Sequence, residues 1–230
     1  MNKLQRIIAK AQSLTFRELA AEGVLRARRQ AAHAYHRATD TPVYPSNADL
    51  KKALGNTSLE EIVSRISTGS RPHLTEGLGD LDATVEAVRQ RSPESITRIV
   101  AEATAILDHK ITLFETEFDL GESINWTADP STGAGWPLNH FTRTPIRIGG
   151  GSDVKFVWEL SRFHRLVSLG QAYVITQHER YTEEFLSQVS SWNRQNPPGF
   201  GINWTVAMEA GIRSINLLAA LDLFRTSPIM

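Results

Sequence analysis

Three stretches in the C-terminal half of the chain decide its fold. They read DVKFVWELSRFHRLVSLGQAYVI over residues 153–175, ERYTEEFLSQVSSWNR over 179–194 and NWTVAMEAGIRSINLLAALDLFR over 203–225. In each stretch, apolar side chains recur every three or four residues, a spacing that places them on one side of an α-helix. Asn196-Pro197-Pro198-Gly199 separates the second stretch from the third. Because short connections between helices of similar length favour antiparallel packing, the sequence predicts helical hairpins and an all-α fold.

The residues before these helices predict a different organisation. Ser92-Pro93 is a typical N-cap and first-turn pair for a helix that runs to about Asp108. Residues 110–152 are rich in Gly and Pro, so we expect an ordered loop that carries aromatic residues, with one extended piece at Ile111–Phe114. The predicted domains are an N-terminal helical region at 1–109, and a region at 110–230 that combines the aromatic loop (110–152) with the three helices.

Composition excludes several classes of function. The chain has 230 residues, 25 Lys and Arg against 25 Asp and Glu, and no Cys. A net charge of zero disfavours nucleic-acid binding, and the absence of Cys excludes disulfides, thiolate nucleophiles and Cys-based metal sites. The longest apolar stretch, Ile215–Phe224, is too short to span a membrane. Residues 1–30 lack the apolar segment of a secretory signal, so we expect a cytoplasmic location, with the periplasm as the alternative.

The third helix carries a polar stripe on an otherwise apolar surface. Thr205, Glu209, Arg213 and Asn216 fall within roughly an 80° arc when residues advance about 100° each. The simpler interpretation is a Glu209–Arg213 ion pair, spaced i,i+4, on a solvated strip. The alternative is that the stripe lines a cleft, because a helix that is apolar on most sides is normally buried on most sides.

The first helix shows a comparable charged side. Its members are Lys155, Trp158, Glu159, Arg162 and Arg165. An amphipathic surface helix accounts for the four charged residues. Trp158 does not fit that account, since an indole gains little among exposed charges unless a ligand or partner covers it.

The order of these motifs resembles the N-terminal helical domain of heparinase II/III-like polysaccharide lyases. The resemblance covers about residues 110–225. It rests on Trp158-Glu159-x2-Arg162, on Asn203-Trp204-x4-Glu209-x3-Arg213-x2-Asn216, and on the loop motifs Ile124-Asn125-Trp126-x2-Asp129-Pro130 and Trp136-Pro137. It implies an incomplete (α/α) toroid whose inner helices surround a groove for an acidic polysaccharide, with a β-sandwich domain following in the family.

The resemblance also implies what chemistry the chain lacks. Elimination at a uronic acid requires a neutralised carboxylate, a base that takes the C5 proton and an acid that protonates the leaving oxygen. In the family, the Asn/His motif and the catalytic Tyr follow the third of these helices, beyond Met230 here. We therefore expect this chain to bind polysaccharide without cleaving it, and to need no metal or other cofactor.

The polar residues receive roles from the same resemblance. Arg213 would pair with a uronate carboxylate through two guanidinium nitrogens, and Glu209 would orient Arg213. Asn203 would bond sugar hydroxyls. Glu159, Arg162 and Asn216 would support the groove.

The tryptophans receive a stacking role. Trp158, Trp204 and Trp126 would stack on pyranose faces, with Trp136 as a further candidate. For each of them, packing in the core is the alternative.

Two other functions stay open at the level of sequence. The chain is alternatively a non-catalytic helical scaffold completed by a partner chain or by self-association through an apolar edge that includes some of Ile215, Leu218 and Leu221. Glu159 and Glu209 are alternatively the acid and base of an inverting hydrolase, which would require their carboxyls to flank a groove. The Arg three or four positions after each Glu disfavours a proton-holding acid.

Overall fold

The computed structural model describes residues 79–230 continuously, residues 44–53, and single positions between 24 and 64. The chain divides into two compact units, residues 1–43 and 44–230. In the first unit the described positions between Val24 and Ala38 are helical. Much of the region predicted at 1–109 lies outside the described residues, and every element named below belongs to the second unit.

The described part of the second unit is mainly helical, which confirms the predicted all-α class. Its helices are α1 (Asn47–Ala53), α2 (Leu81–Arg91), α3 (Pro93–Leu107), α4 (Val154–Ser161), α5 (His164–Thr176), α6 (Arg180–Gln195) and α7 (Ala207–Leu223). Its strands are β1 (Lys110–Leu113) and β2 (Thr116–Asp119), which form one antiparallel pair. Helix α3 begins at Pro93 after Ser92, as the N-cap signal predicted.

The first of the three long helices is broken in its middle. We predicted one helix over 153–175, but α4 ends at Ser161 and α5 begins at His164. Phe163 has a φ of 66°, a left-handed conformation that a continuous helix does not allow. Its buried ring packs edge-on against Trp126 and Trp192 at centroid distances of 6.0 and 5.5 Å. Packing of the Phe163 ring thus stabilises a helix break that the apolar periodicity of the sequence does not reveal.

The third long helix begins later than predicted. Ile202–Trp204 form a short 3-10 turn, and α7 starts at Ala207 after Val206, whose φ of −125° is extended. The 3-10 turn contacts both α4 and α7. It therefore brings the Asn203-Trp204 motif close to the end of α4.

The loop region before α4 is ordered by one carboxylate. Asp129 Oδ1 accepts hydrogen bonds from the backbone nitrogen and hydroxyl of Ser131 at 2.8 and 2.6 Å. Its Oδ2 accepts from the backbone nitrogen of Asp153 at 2.8 Å. Asp153 in turn caps α4 by accepting from Lys155 N at 2.9 Å. Asp129 therefore fixes where α4 starts relative to the loop.

Helix α5 lies at the centre of the main core, in contact with α3, α6 and α7. Gly170 lies against α7, where an added Cβ would be 2.8 Å from Cβ of Leu223. Around this contact the core is filled by aromatic rings, including Tyr173, Phe185 and Phe224. Among the described residues, no helix has the length and apolar character needed to cross a membrane.

Candidate functional site

One arginine joins two acidic residues at the break between α4 and α5. Arg162 donates from Nε and NH2 to the two carboxylate oxygens of Glu209, each at 2.8 Å. Its NH1 donates to Oε2 of Glu159 at 2.5 Å. The hydrogen bonds and charge of Glu209 outweigh partial burial and raise the pKa of Arg162, with a smaller contribution from Glu159. We call residues 159–164 the α4–α5 corner.

A backbone carbonyl group at this corner accepts a hydrogen bond from a side chain on α7. Asn216 donates from Nδ2 to the carbonyl oxygen of Arg162 at 2.8 Å. Because the left-handed Phe163 ends the helical bonding pattern, that carbonyl is one of those a helix C-terminus leaves without an intrahelical partner. Asn216 therefore supports the corner through the backbone.

Arg213 lies buried against a pair of indole rings, those of Trp192 and Trp204, whose centroids are 5.9 Å apart. Its guanidinium carbon is 4.3 Å from the ring centroid of Trp192 and 5.5 Å from that of Trp204. It donates to the carbonyl oxygens of Ser161 and Asn203 at 3.4 and 3.1 Å. Burial lowers its pKa to about 10, and the charge of Glu209 partly opposes that shift.

This geometry corrects one interpretation of the stripe on α7, that of a solvated strip. Arg213 is 6% exposed and Glu209 is 1% exposed, so the interpretation of a solvated ion pair is wrong. The capture of a uronate carboxylate by Arg213 stays a prediction; in the structure its guanidinium packs against two indole rings and donates to two backbone carbonyls. Glu209 binds Arg162, which lies between α4 and α5. The proposed hydrolase pair of Glu209 and Glu159 would need both carboxyls to face a water-filled groove, and the burial of Glu209 disfavours it.

Two further residues predicted to bind substrate, Asn203 and Trp126, are also buried, and their contact with a sugar stays a prediction. Asn203 is fully buried, and its Nδ2 donates to the carbonyl oxygen of Trp126 and to Oδ1 of Asn196 at 2.9 and 2.8 Å. Trp126 is also fully buried, with its Nε1 donating to the hydroxyl of Ser191 at 3.1 Å. Core packing, the alternative interpretation, is correct for Trp126. Trp136 is 5% exposed and packs in a second apolar cluster.

Trp158 and Trp204 remain partly exposed. Trp158 donates from Nε1 to the carbonyl oxygen of Ile202 at 3.2 Å, and Trp204 donates to that of Asn196 at 3.2 Å. The first bond anchors the indole of Trp158 to the 3-10 turn, and the second anchors Trp204, the last residue of that turn, to the end of α6. Stacking on a sugar stays a prediction for both residues.

A cleft of about 890 Å³ opens beside the α4–α5 corner. We call it the hairpin cleft, because β1 and β2 form one side while α3 and the start of α5 form the rest. Its charged lining residues are Arg98, Glu102, Lys110, Glu117, Asp119, Glu159, His164 and Arg165. Its apolar part includes Ile111, Leu113 and Phe118.

Arg165 belongs to the buried side of this cleft, which corrects its predicted place on the exposed face of the helix. The break turns Arg165 into the core, where its guanidinium lies 4.9 Å from the ring centroid of Trp126. It donates to Oε1 of Gln188 at 2.9 Å and to the carbonyl oxygen of Leu160 at 2.7 Å. Burial lowers its pKa to about 9, and the charges of Glu184 and Glu159 act in the opposite direction.

Comparison with known families identifies the family to which the chain belongs. The family described as "Heparinase II/III N-terminus" matches residues 64–230. The chain belongs to this family. No curated protein and no solved structure matches the chain.

The match covers the loop and every helix of this heparinase II/III N-terminal domain from α2 onward. The corner, the Trp192–Trp204 ring pair with Arg213, and the hairpin cleft all lie inside it. Within the described residues of the domain, no group of three or more His, Asp or Glu side chains is arranged to hold a metal ion.

The sequence missed the residue of this domain that is most open to solvent at the corner. His164 has a side chain that is 55% exposed, and its Nδ1 lies 3.2 Å from Oε1 of Glu159. Five positions separate the two residues, a spacing that does not bring side chains together on a continuous helix. Only the break places them in contact, so no periodic signal could have indicated the pair.

Proposed function

We propose that this chain is the N-terminal helical portion of a lyase and binds an acidic, uronate-containing polysaccharide. The observation that carries the proposal is the family match over residues 64–230. In this proposal α3, α5, α6 and α7 belong to an incomplete (α/α) toroid. The residues that carry out β-elimination come from outside these 230 residues.

The burial pattern changes which residues would touch the polysaccharide. Glu209, Arg213 and Asn203 serve as a buried frame, because their polar groups are turned to one another or to the backbone. Contact with sugar is left to side chains with open surface around the corner. These are Trp158, Lys155, Arg162 and His164, and across the hairpin cleft Arg98 and Lys110.

Arg162 is an unsuitable receptor for a uronate carboxylate. Its three nitrogens already donate to Glu159 and Glu209, and the two carboxylates leave the trio with a net negative charge. Attraction of an acidic polymer therefore has to come from the more exposed cations, among them Lys155, whose side chain is 71% exposed. Contacts of this kind are weakened by salt.

Calorimetric titration tests the proposal. The chain is titrated with heparan sulfate and alginate oligosaccharides, and with a neutral maltooligosaccharide as the control. We expect binding of at least one acidic oligosaccharide at low salt, weaker binding at high salt, and none of the neutral one. Ultraviolet absorbance should reveal no unsaturated product. Failure of every acidic oligosaccharide to bind at low salt would contradict the proposal.

One observation favours a second candidate, a helical module completed by a protein partner. Met208, Ile215 and Leu218 on α7 are 60%, 64% and 50% exposed, and their spacing of seven and three residues places them along one side of the helix. Contiguous exposed apolar surface of this kind is typical of interaction sites.

Light scattering at increasing protein concentration tests the second candidate. Self-association that is lost in Ile215→Glu but kept in Leu186→Glu would support it, since Leu186 is an exposed apolar residue on another helix. A monomer at all concentrations, together with binding of the acidic oligosaccharide, would exclude self-association through α7.

A further inference from the structure

The hydrogen bond between His164 and Glu159 determines which ring nitrogen of His164 is left to bind a ligand. Nδ1 lies 3.2 Å from Oε1 of Glu159, whose carboxylate accepts hydrogen bonds when ionised. Nδ1 therefore carries the proton of that hydrogen bond. In the neutral imidazole the lone pair is then on Nε2, which makes Nε2 an acceptor.

Glu159 is itself held in place from the buried side. Its Oε2 accepts from NH1 of Arg162, and Arg162 is fixed by the two hydrogen bonds from Nε and NH2 to Glu209. Glu209 has almost no freedom, since it is 1% exposed. A chain of contacts thus runs from the interior through Arg162 and Glu159 to the exposed ring of His164.

Several unfavourable features converge on this one place. The left-handed conformation of Phe163 is unfavourable for a residue with a Cβ. The Arg162–Glu209 ion pair, whose carboxylate is buried, is also a poor source of stability compared with apolar packing. Strain and buried charge of this kind cluster at binding and catalytic sites, where they position a side chain. Here both act on the residues that hold His164 at the edge of the hairpin cleft.

The lining of the hairpin cleft indicates the class of ligand. Cationic and anionic side chains are present in similar numbers, so the cleft does not select a densely charged group. It offers hydrogen-bond donors at Arg98 and Lys110, acceptors at Glu117 and Glu159, and apolar surface at Phe118. A sugar ring, with hydroxyls that both donate and accept and with an apolar C–H face, matches this combination.

We propose that Glu159 and His164 form a sugar subsite of the hairpin cleft, in which Nε2 of His164 accepts a hydrogen bond from a sugar hydroxyl. The subsite rests on the proposed function, because it binds one unit of the same polysaccharide. His164 contacts the ligand, and Glu159 and Arg162 are positioning residues that act through it.

The test measures binding of the acidic oligosaccharide that the wild-type chain binds best in the titration above. His164→Ala removes the acceptor at an exposed position, so folding should be retained. His178→Ala is the matched control, an exposed histidine outside the cleft. We expect the Kd of His164→Ala to rise about tenfold, as the loss of one good hydrogen bond predicts, and the Kd of His178→Ala to stay unchanged.

A second measurement reports directly which nitrogen of the His164 ring carries the proton. Nitrogen-15 NMR of the neutral wild-type imidazole should report the tautomer protonated at Nδ1, with the Nε2 resonance shifting when the oligosaccharide is added. Glu159→Ala should remove the preference for that tautomer. Binding that is unaffected by His164→Ala, or a neutral ring protonated at Nε2, would overturn the subsite while leaving the proposed function intact. Absence of binding by the wild-type chain would overturn both.

Discussion

Arg162 and Glu209 meet through two parallel hydrogen bonds of 2.8 Å, one from Nε and one from NH2, although they lie on different segments of the chain. The pair is unequal in its surroundings, because the side chain of Arg162 is 24% exposed and that of Glu209 only 2%. Removing one partner therefore has different consequences from removing the other.

Arg162→Ala should be the more damaging substitution. It leaves the buried carboxylate of Glu209 without its cation, and a buried charge that loses its partner costs about 3 to 5 kcal/mol of unfolding free energy. Glu209→Ala should cost less, because Arg162 retains Glu159 and some solvent. Urea unfolding followed by tryptophan fluorescence measures both variants. The double variant Arg162→Met/Glu209→Leu should recover much of the loss; a loss equal to the sum of the single variants would contradict the account.

Phe163 gives a direct test of the break between α4 and α5. Both Phe163→Ala and Phe163→Gly remove a buried ring and should destabilise by about 3 to 5 kcal/mol. At a φ of 66°, however, glycine lacks the Cβ penalty, so the Gly variant should be more stable than the Ala variant by about 1 kcal/mol. In a continuous helix the order would be reversed. Chemical denaturation of the two variants side by side therefore distinguishes the break from the single helix that the sequence predicts.

Two helical glycines, one in the core and one exposed, form a matched pair. Gly170→Ala would place a methyl group 2.8 Å from Cβ of Leu223 and should destabilise the contact of α5 with α7 by about 1 to 3 kcal/mol. Gly211→Ala, on an exposed part of α7 with nothing within 4 Å, should stabilise by up to about 1 kcal/mol through helix propensity. Thermal melting of both variants provides the measurement. Equal effects would mean that α5 and α7 do not approach as closely as described.

Asp129 should make stability depend on pH in the acid range. Burial acts to raise its pKa, but the hydrogen bonds from Ser131, Asp153 and Thr132 together outweigh burial, and the pKa lies below its ordinary value. Between the folded and unfolded pKa values the unfolded chain binds more protons, so this stabilisation is complete above about pH 4 and is lost as the pH falls through the folded pKa.

Asp129→Asn isolates that contribution. The variant should be less stable than wild type at pH 7 by about 1 to 2 kcal/mol, because an amide cannot accept all of the same hydrogen bonds. The difference should narrow below about pH 4, where the wild-type carboxylate becomes protonated. Unfolding free energies of wild type and variant at pH 7, 4 and 2.5 measure this difference. A difference that stays constant over this range would rule out ionised Asp129 as the source.

The sequence was sufficient to predict the elements that local patterns define. Ser92-Pro93 correctly indicated the start of α3, and the periodic apolar residues of 179–194 correctly indicated α6. The extended piece at Ile111–Phe114 corresponds to β1, but its partner β2 was missed. That partner follows a turn at Phe114 and Glu115, both with positive φ, where no glycine marks the reversal.

The errors at the candidate site have one physical origin. Wheel arithmetic places Glu209 and Arg213 together, but it gives no information about which helix packs over them. In the structure Arg162, from the break between α4 and α5, covers Glu209, and Trp192 and Trp204 pack against Arg213. The polar stripe was correctly recognised as unusual, yet its buried environment depends on contacts between segments that are distant in the chain.

Hydrogen exchange with and without the bound acidic oligosaccharide tests the central claim most directly, namely that this family member presents its α4–α5 corner and hairpin cleft to the polysaccharide. The account predicts slower exchange in peptides that cover residues 110–119 and 155–165, and no change in the exposed side of α7 around Ile215. Protection confined to α7, or exchange that is unchanged in both cleft segments at saturating ligand, would contradict it.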